Sequence, residues 1–290
     1  MMRSANTHKA YALIAPAFLL FLVFNAYPLI WSFYISFTSW DGLNSVKQFI
    51  GFGNYRMLFG NSEFLISIKV TLLYVFFVTI ISTMLGFIIA LNLQKIRFSR
   101  FYRTLYFSPV VTATVAAGVV WQLIFDPFSG VINKSLSAFN LTGPNWLSDT
   151  RFALPAVILV GIWKRIGFAM VVFAAGLAAL PTSTYEAAAL DGADGVKAIR
   201  FITLPLMKPI FLVVIITGII DSIQVFDHIF VMTNGGPMGS TQVLSMLLYN
   251  QGFRLFHLGT ASAIGWLILL GILLLGSFQR LLSKKADRND

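Results

Sequence analysis

The spacing of charged residues constrains this chain more than any motif in it. No Lys, Arg, Asp or Glu occurs between Lys9 and Asp41, between Lys69 and Lys95, between Arg103 and Asp126, or between Arg254 and Arg280. Each gap is long enough for the ~20 apolar residues that a membrane-spanning helix needs. Two further apolar stretches carry internal charges: 153–180 holds Lys164 and Arg165, and 209–233 holds Asp221 and Asp227. Six spans are expected, near 12–36, 67–93, 105–125, 153–180, 209–232 and 258–282. Composition agrees, since 57% of the 290 residues are apolar and 11% are charged, against roughly 25% charged in a soluble domain. The expected fold is an all-α integral membrane protein, one domain over 1–290 with no tandem repeat or linker. The first apolar run is too long for a signal peptide and no small-residue cleavage site follows it, so it reads as a retained anchor.

The formal charge of +10 would suggest a phosphate-binding patch on a soluble protein. In a membrane protein it more often reflects Lys and Arg held on the cytoplasmic side. With the N-terminus inside, the cytoplasmic segments hold thirteen Lys and Arg: Arg3 and Lys9, then Lys95 to Arg103, Lys197 to Lys208, and Arg280 to Arg288. The opposite side holds six, and Lys164 and Arg165 lie within a span. Both termini are therefore expected in the cytoplasm, with membrane lipid rather than nucleic acid as the partner. Cysteine is absent, which removes disulfides, thiolate nucleophiles and Cys-ligated metals together. His8, His228 and His257 are far apart, so no metal site and no catalytic residues are expected.

The segment 181–208 joins the fourth and fifth expected spans. Ser183 with Glu186 three residues later fits a capping box, so a short helix is expected to start there. Ala187, Ala188 and Ala189 favour helix and present a low surface. Gly192 ends or bends that helix, and a second short helix from about Asp194 to Phe201 is expected to stop at Pro205. An elbow of small residues outside the membrane would let a partner approach closely. An ordinary amphipathic connector is the plainer alternative.

Glu186-Ala187-Ala188, then Gly192, then Ile202-x-Leu204-Pro205 resembles the EAA loop of inner-membrane permeases in binding-protein-dependent ABC importers. Ser36-Phe-Thr-Ser-Trp-Asp41, Gly53-Asn-Tyr55, Arg103-Thr-Leu-Tyr106 with Pro109, Trp163-Lys164 and Thr233-Asn-Gly-Gly-Pro237 resemble the carbohydrate branch of that family. The last of these is similar to the larger maltose permease, whose extra N-terminal helices and periplasmic insertion this chain lacks. The resemblance implies a type I importer permease-like fold with a cytoplasmic EAA coupling loop, in the bacterial inner membrane. It further implies alternating access and partners: a second homologous permease, usually forming a heterodimer, two ATP-binding cassette ATPases and a periplasmic solute-binding protein. Glu186, Ala187, Ala188, Asp191, Gly192 and Ala193 would dock on the ATPase. The chain has no Gly-x4-Gly-Lys-Ser/Thr, so ATP and Mg would be bound by the separate ATPase and no cofactor by this chain.

Each charge placed in lipid costs roughly 2.5–3.5 kcal/mol on insertion scales. Lys164 and Arg165 should therefore face a watery cavity or an acidic partner. Asp221, Gln224 and His228 fall at i, i+3 and i+7, one face of a helix, with Ser222 and Asp227 beside it. Two uses remain open at this point, a polar transport pathway or an interhelical ion pair that touches no substrate. By resemblance, Lys164, Arg165, Phe168, Gly218, Asp221, Ser222 and Val225 match positions lining the sugar site of the maltose permease, and Gln224 joins them on the polar face. Phe168 and Phe226 offer stacking surfaces for a sugar ring. The expected function is permease-mediated import of a sugar, with an anionic sugar derivative or glycerol phosphate as the alternative because two cations stand together. An ion-coupled secondary transporter using Asp221 and Asp227 is the rival class, for which inverted repeats would be expected and none is found. An intramembrane enzyme lacks a nucleophile–base pair or a metal cluster.

Overall fold

The computed structural model describes residues 3–94, 96–191 and 193–286, with side chains from Tyr11 to Ser277 apart from Ala12. In chain order the helices are α1 (Arg3–Phe21), α2 (Tyr27–Ile35), α3 (Gly53–Gly60), α4 (Ser62–Leu93), α5 (Ser99–Val111), α6 (Thr114–Ile124), α7 (Val131–Ala138) and α8 (Ala153–Ala178). They continue as α9 (Thr182–Leu190), α10 (Gly195–Ala198), α11 (Leu204–Leu206), α12 (Lys208–Ile223), α13 (Asp227–Met232), α14 (Leu244–Tyr249) and α15 (Leu258–Ala286). Among the described residues the only β pairing is an isolated bridge between Thr38 and Phe49. Four segments are long and apolar enough to cross a membrane, and two bent pairs raise that to six if each pair is one span.

The chain divides into two compact units. The first runs to Phe64 and takes up Leu247–Leu273. Its helical segment Leu13–Ile35 has no buried share over its apolar window, so its leucines and phenylalanines are left for lipid. The fastening residue is Asn54. Its buried Nδ2 donates to the carbonyls of Ser36 and Thr38 at 2.8 Å each, and its Oδ1 accepts from Thr260 Oγ1 at 3.2 Å. Tyr55 Oη donates to Ser36 Oγ at 2.9 Å. The Ser-Phe-Thr-Ser-Trp-Asp and Gly-Asn-Tyr motifs thus form one hydrogen-bonded joint, in which a single amide satisfies carbonyls left free after α2.

The second unit holds Leu65–Met246 and Leu274–Asp290. Its core joins α4, α8 and α12 through Phe87, Met170, Phe173, Leu177, Met207 and Val214, with Phe173 4.6 Å from Phe211 ring to ring. Small residues let the backbones close up, as expected where lipid supplies no hydrophobic drive between helices. A Cβ added at Gly86 would lie 2.6 Å from that of Ala169, and one at Gly167 would strike the Tyr106 carbonyl. A packed α8 results, unbroken for 26 residues.

Two expected spans are not straight. The third bends by 100° between α5 and α6. Pro109 removes a donor there, and the β-branched run Val110, Val111, Thr112 lowers helix preference. Thr112 and Ala113 become extended, with ψ of 133° and 124°. The fifth, expected as one helix over 209–232, ends at Ile223 and restarts at Asp227. Ser245 Oγ donates to the Ile223 carbonyl freed by that break at 3.3 Å.

Candidate functional site

A cavity of about 340 Å³ opens in the second unit between α4, α6, α8 and the α12–α13 break. It brings together Lys164, Arg165, Phe168, Asp221, Ser222, Gln224 and Val225 of the expected pathway residues. The eighth, Gly218, is buried behind them: a Cβ there would come within 2.9 Å of Arg165 Nη2, so its lack of a side chain makes room for the guanidinium.

Arg165 is the most committed group. Nη1 donates to Asp221 Oδ2 at 2.5 Å, and Nη2 donates to the Val214 carbonyl at 2.8 Å and to Thr217 Oγ1 at 3.1 Å. Its Nε is buried without a hydrogen-bond partner among the described residues. The guanidinium also lies 5.5 Å from the Phe168 ring centre. The pair is lopsided, with the Arg165 side chain 8% exposed and that of Asp221 66% exposed. Lys164 takes a different partner. Its Nζ donates to the carbonyls of Pro109 at 3.2 Å and Thr112 at 2.7 Å. Those carbonyls belong to the α5–α6 break, where an ammonium suits a helix C-terminal end.

Asp221, Ser222, Gln224, Asp227 and His228 all line the cavity, and the helix break changes which of them are exposed. An unbroken helix would put His228 on the face of Asp221 and Gln224. Residues 224–226 interrupt the 3.6-residue period, so Asp221, Gln224 and Asp227 are exposed while Ser222, Val225 and His228 are buried. His228 Nε2 lies 3.0 Å from Tyr74 Oη. Tyr74 lines the cavity and was missed by the sequence reading, as were Val110, Thr114 and Gly161. Tyr74 had a signal, being the only tyrosine in the 67–93 span. Gly161 had another, since it precedes Arg165 by four residues and so shares its helix face.

In the 181–208 segment the helix starts at Thr182, one residue before Ser183, with Pro181 at the cap and no side-chain capping bond. The capping-box bond is therefore not formed, because a proline in extended conformation already turns the chain into the helix. Glu186, Ala187 and Asp191 are exposed, and Ala188 and Ala193 are half-buried. Gly192 lies outside the described residues. The second helical stretch does not stop at Pro205. It passes through a π turn at Ile199–Thr203 and α11 before a 68° bend at Met207, because the wider turn absorbs the missing proline donor. Tyr185 Oη and Thr203 Oγ1, 2.9 Å apart, tie α9 to that turn.

Several apolar helices, two of them broken beside a charged cavity, define a multi-pass membrane transport subunit. Residues 82–288 match the family described as binding-protein-dependent transport system inner membrane component. A probable ABC transporter permease protein of Sinorhizobium fredii is 35% identical over 89% of this chain and 84% of its own length. The trehalose/maltose transport system permease protein of Thermococcus litoralis is 33% identical over 91% and 89%. The fold is that of a bacterial alginate ABC transporter solved with an alginate pentasaccharide-bound periplasmic protein, at 24% identity, a TM-score of 0.86, and 97% and 96% coverage. The chain belongs to the binding-protein-dependent transport system inner membrane component family, as an ABC transporter permease with the type I importer fold.

Proposed function

We propose that this chain is the transmembrane permease of an ATP-driven importer for a sugar, and that the cavity beside the α12–α13 break is part of the solute's path. The observation that carries this reading is the convergence of Asp221, Gln224, Asp227 and Phe168 on one cavity inside an otherwise apolar helical unit. Carboxylates and an amide accept and donate hydrogen bonds to hydroxyls, and an aromatic face covers the apolar side of a sugar ring. Related permeases named for sugars support the substrate class.

In this reading the six apolar segments are six spans of one permease domain, each bent pair counting as one, and both termini face the cytoplasm. The 181–208 segment is the EAA coupling loop. Glu186, Ala187, Ala188, Asp191, Gly192 and Ala193 dock on an ATPase, and two such ATPases bind ATP and Mg, leaving this chain without a catalytic site or cofactor. A second, different permease completes the pathway and a periplasmic solute-binding protein delivers the sugar. The exposed surface of Glu186, Ala187 and Asp191 fits a docking role.

Reconstitution of all four components in vesicles tests the proposal. ATP-dependent sugar uptake should require each component, and Glu186→Lys should leave ATP hydrolysis without matching uptake. Uptake that follows an ion gradient without ATP would replace the proposal with an ion-coupled carrier using Asp221 and Asp227.

A further inference from the structure

Lys164 and Arg165 standing together suggest a site for an anion, but the geometry reverses their sign at the cavity surface. Two cations and two carboxylates line the cavity, so their formal charges cancel. They are not equally placed. Arg165 is 8% exposed and held by bonds from Nη1 to Asp221 and from Nη2 to Val214 and Thr217, whereas its partner Asp221 is 66% exposed. Lys164 is half-buried and turned to the Pro109 and Thr112 carbonyls, while Asp227 is exposed. A solute entering the cavity therefore meets carboxylate oxygens and the Gln224 amide before it meets either cation.

We infer that the cavity selects uncharged, hydroxyl-rich solutes and disfavours those bearing a carboxylate or phosphate, with Asp221 as the specificity-determining residue. The inference rests on the cavity being the transport path. Hydroxyls of a neutral sugar donate to the free oxygen of Asp221, whose other oxygen stays with Arg165. A solute carboxylate would instead face Asp221 and Asp227 at close range, where like charges repel. Reaching Arg165 would require displacing Asp221, to which Nη1 already donates, from a buried guanidinium. The cationic pair is thus spent on architecture: Arg165 positions Asp221, and Lys164 caps the break whose residues Val110 and Thr114 wall the cavity.

The test uses the assembled permease–ATPase complex in lipid nanodiscs without the binding protein, so that the binding protein's own preference does not enter. Binding of uncharged di- and trisaccharides, each paired with its uronate counterpart of the same size, is measured by equilibrium dialysis. The uncharged member of a pair should bind about tenfold tighter, the effect of one screened charge at a partly wet site. Asp221→Asn, which keeps the shape, should close or invert that difference by weakening the neutral sugar and admitting the uronate. Arg165→Met should leave the uronate excluded. Tighter binding of the uronate by the wild type, abolished in Arg165→Met, would overturn the inference while keeping the cavity as the path. Binding of no probe, or binding indifferent to Phe168→Ala and Gln224→Ala, would overturn the transport-path reading itself.

Discussion

The unbroken helix α8 and the bent α5–α6 pair invert a simple expectation about charge in membranes. α8 carries two adjacent cations and runs unbroken for 26 residues. The bent pair has no charged residue from Thr104 to Phe125 and turns by 100°. Charge alone does not break a helix, because the cost of a buried cation is met by side-chain partners and leaves the backbone ladder intact. What breaks a helix is an unsatisfied backbone, and the bend at Thr112–Ala113 persists because the cation of α8 caps it. One lysine meets two needs: its own burial, and the free carbonyls of its neighbour.

The seam between the two regions offers the largest effect. Gly167 sits where a Cβ would strike the Tyr106 carbonyl, so Gly167→Val should abolish a monodisperse, folded protein in size-exclusion chromatography. A well-behaved, transport-competent variant would refute the close approach. Removing the cap comes next. Lys164→Met leaves the Pro109 and Thr112 carbonyls without their donor, which should cost about 1–3 kcal/mol in detergent denaturation. Lys164→Arg should retain most of that, and equal losses for both variants would detach the bend from its cap. Thr112→Val removes the 2.9 Å bond from Thr112 Oγ1 to the Ser108 carbonyl and should cost about 1 kcal/mol by the same measurement.

The smallest effect belongs to the loop before α8. Arg151's side chain, then its backbone N–H, hold the Asp149 carboxyl at about 2, below its ordinary 3.8. A lowered folded-state value favours the fold above the ordinary value and fades as the pH falls toward 2. The Arg151 side chain is 78% exposed, so water and salt screen the pair, and a melting curve of Asp149→Asn at pH 7 should lie close to the wild type's. The two proteins should converge further at pH 3, and divergence on acidification would contradict the direction of the shift.

Much of this arrangement was legible in the sequence because burial of charge is costly wherever it happens. The charge gaps marked α4 and α15, the apolar stretch 153–180 marked α8, and the cost of an unpaired cation pointed from Lys164 and Arg165 toward Asp221. The bends were not legible. Thr112-Ala113-Thr114 is compatible with helix on its own, and its alternative is stabilised by Lys164, more than fifty residues away. His228 lines the cavity with Asp221 and Gln224 as its spacing suggested, but its burial beside Tyr74 depends on a side chain 154 residues away. Lys164 and Arg165 looked alike as neighbours in a row, yet successive residues on a helix point about 100° apart, which sends one to a backbone and the other to a carboxylate. The motifs near Ser36 and Asn54 showed only as family marks; their joint depends on an amide reaching carbonyls sixteen and eighteen residues back.

Under the proposed function, solute passes the cavity rimmed by Asp221, Gln224 and Asp227. The natural chain has no cysteine, so Gln224→Cys places a single thiol of this subunit on that rim. In the reconstituted complex with a cysteine-free partner set, labelling by a membrane-impermeant maleimide is measured from each side, with and without nucleotide. The thiol should be reached from one side in the resting state and from the other when ATP closes the motor, and the transported sugar should slow both reactions. A thiol at 224 that is unreachable from either side in every state, in a complex that still transports, would contradict the proposed path.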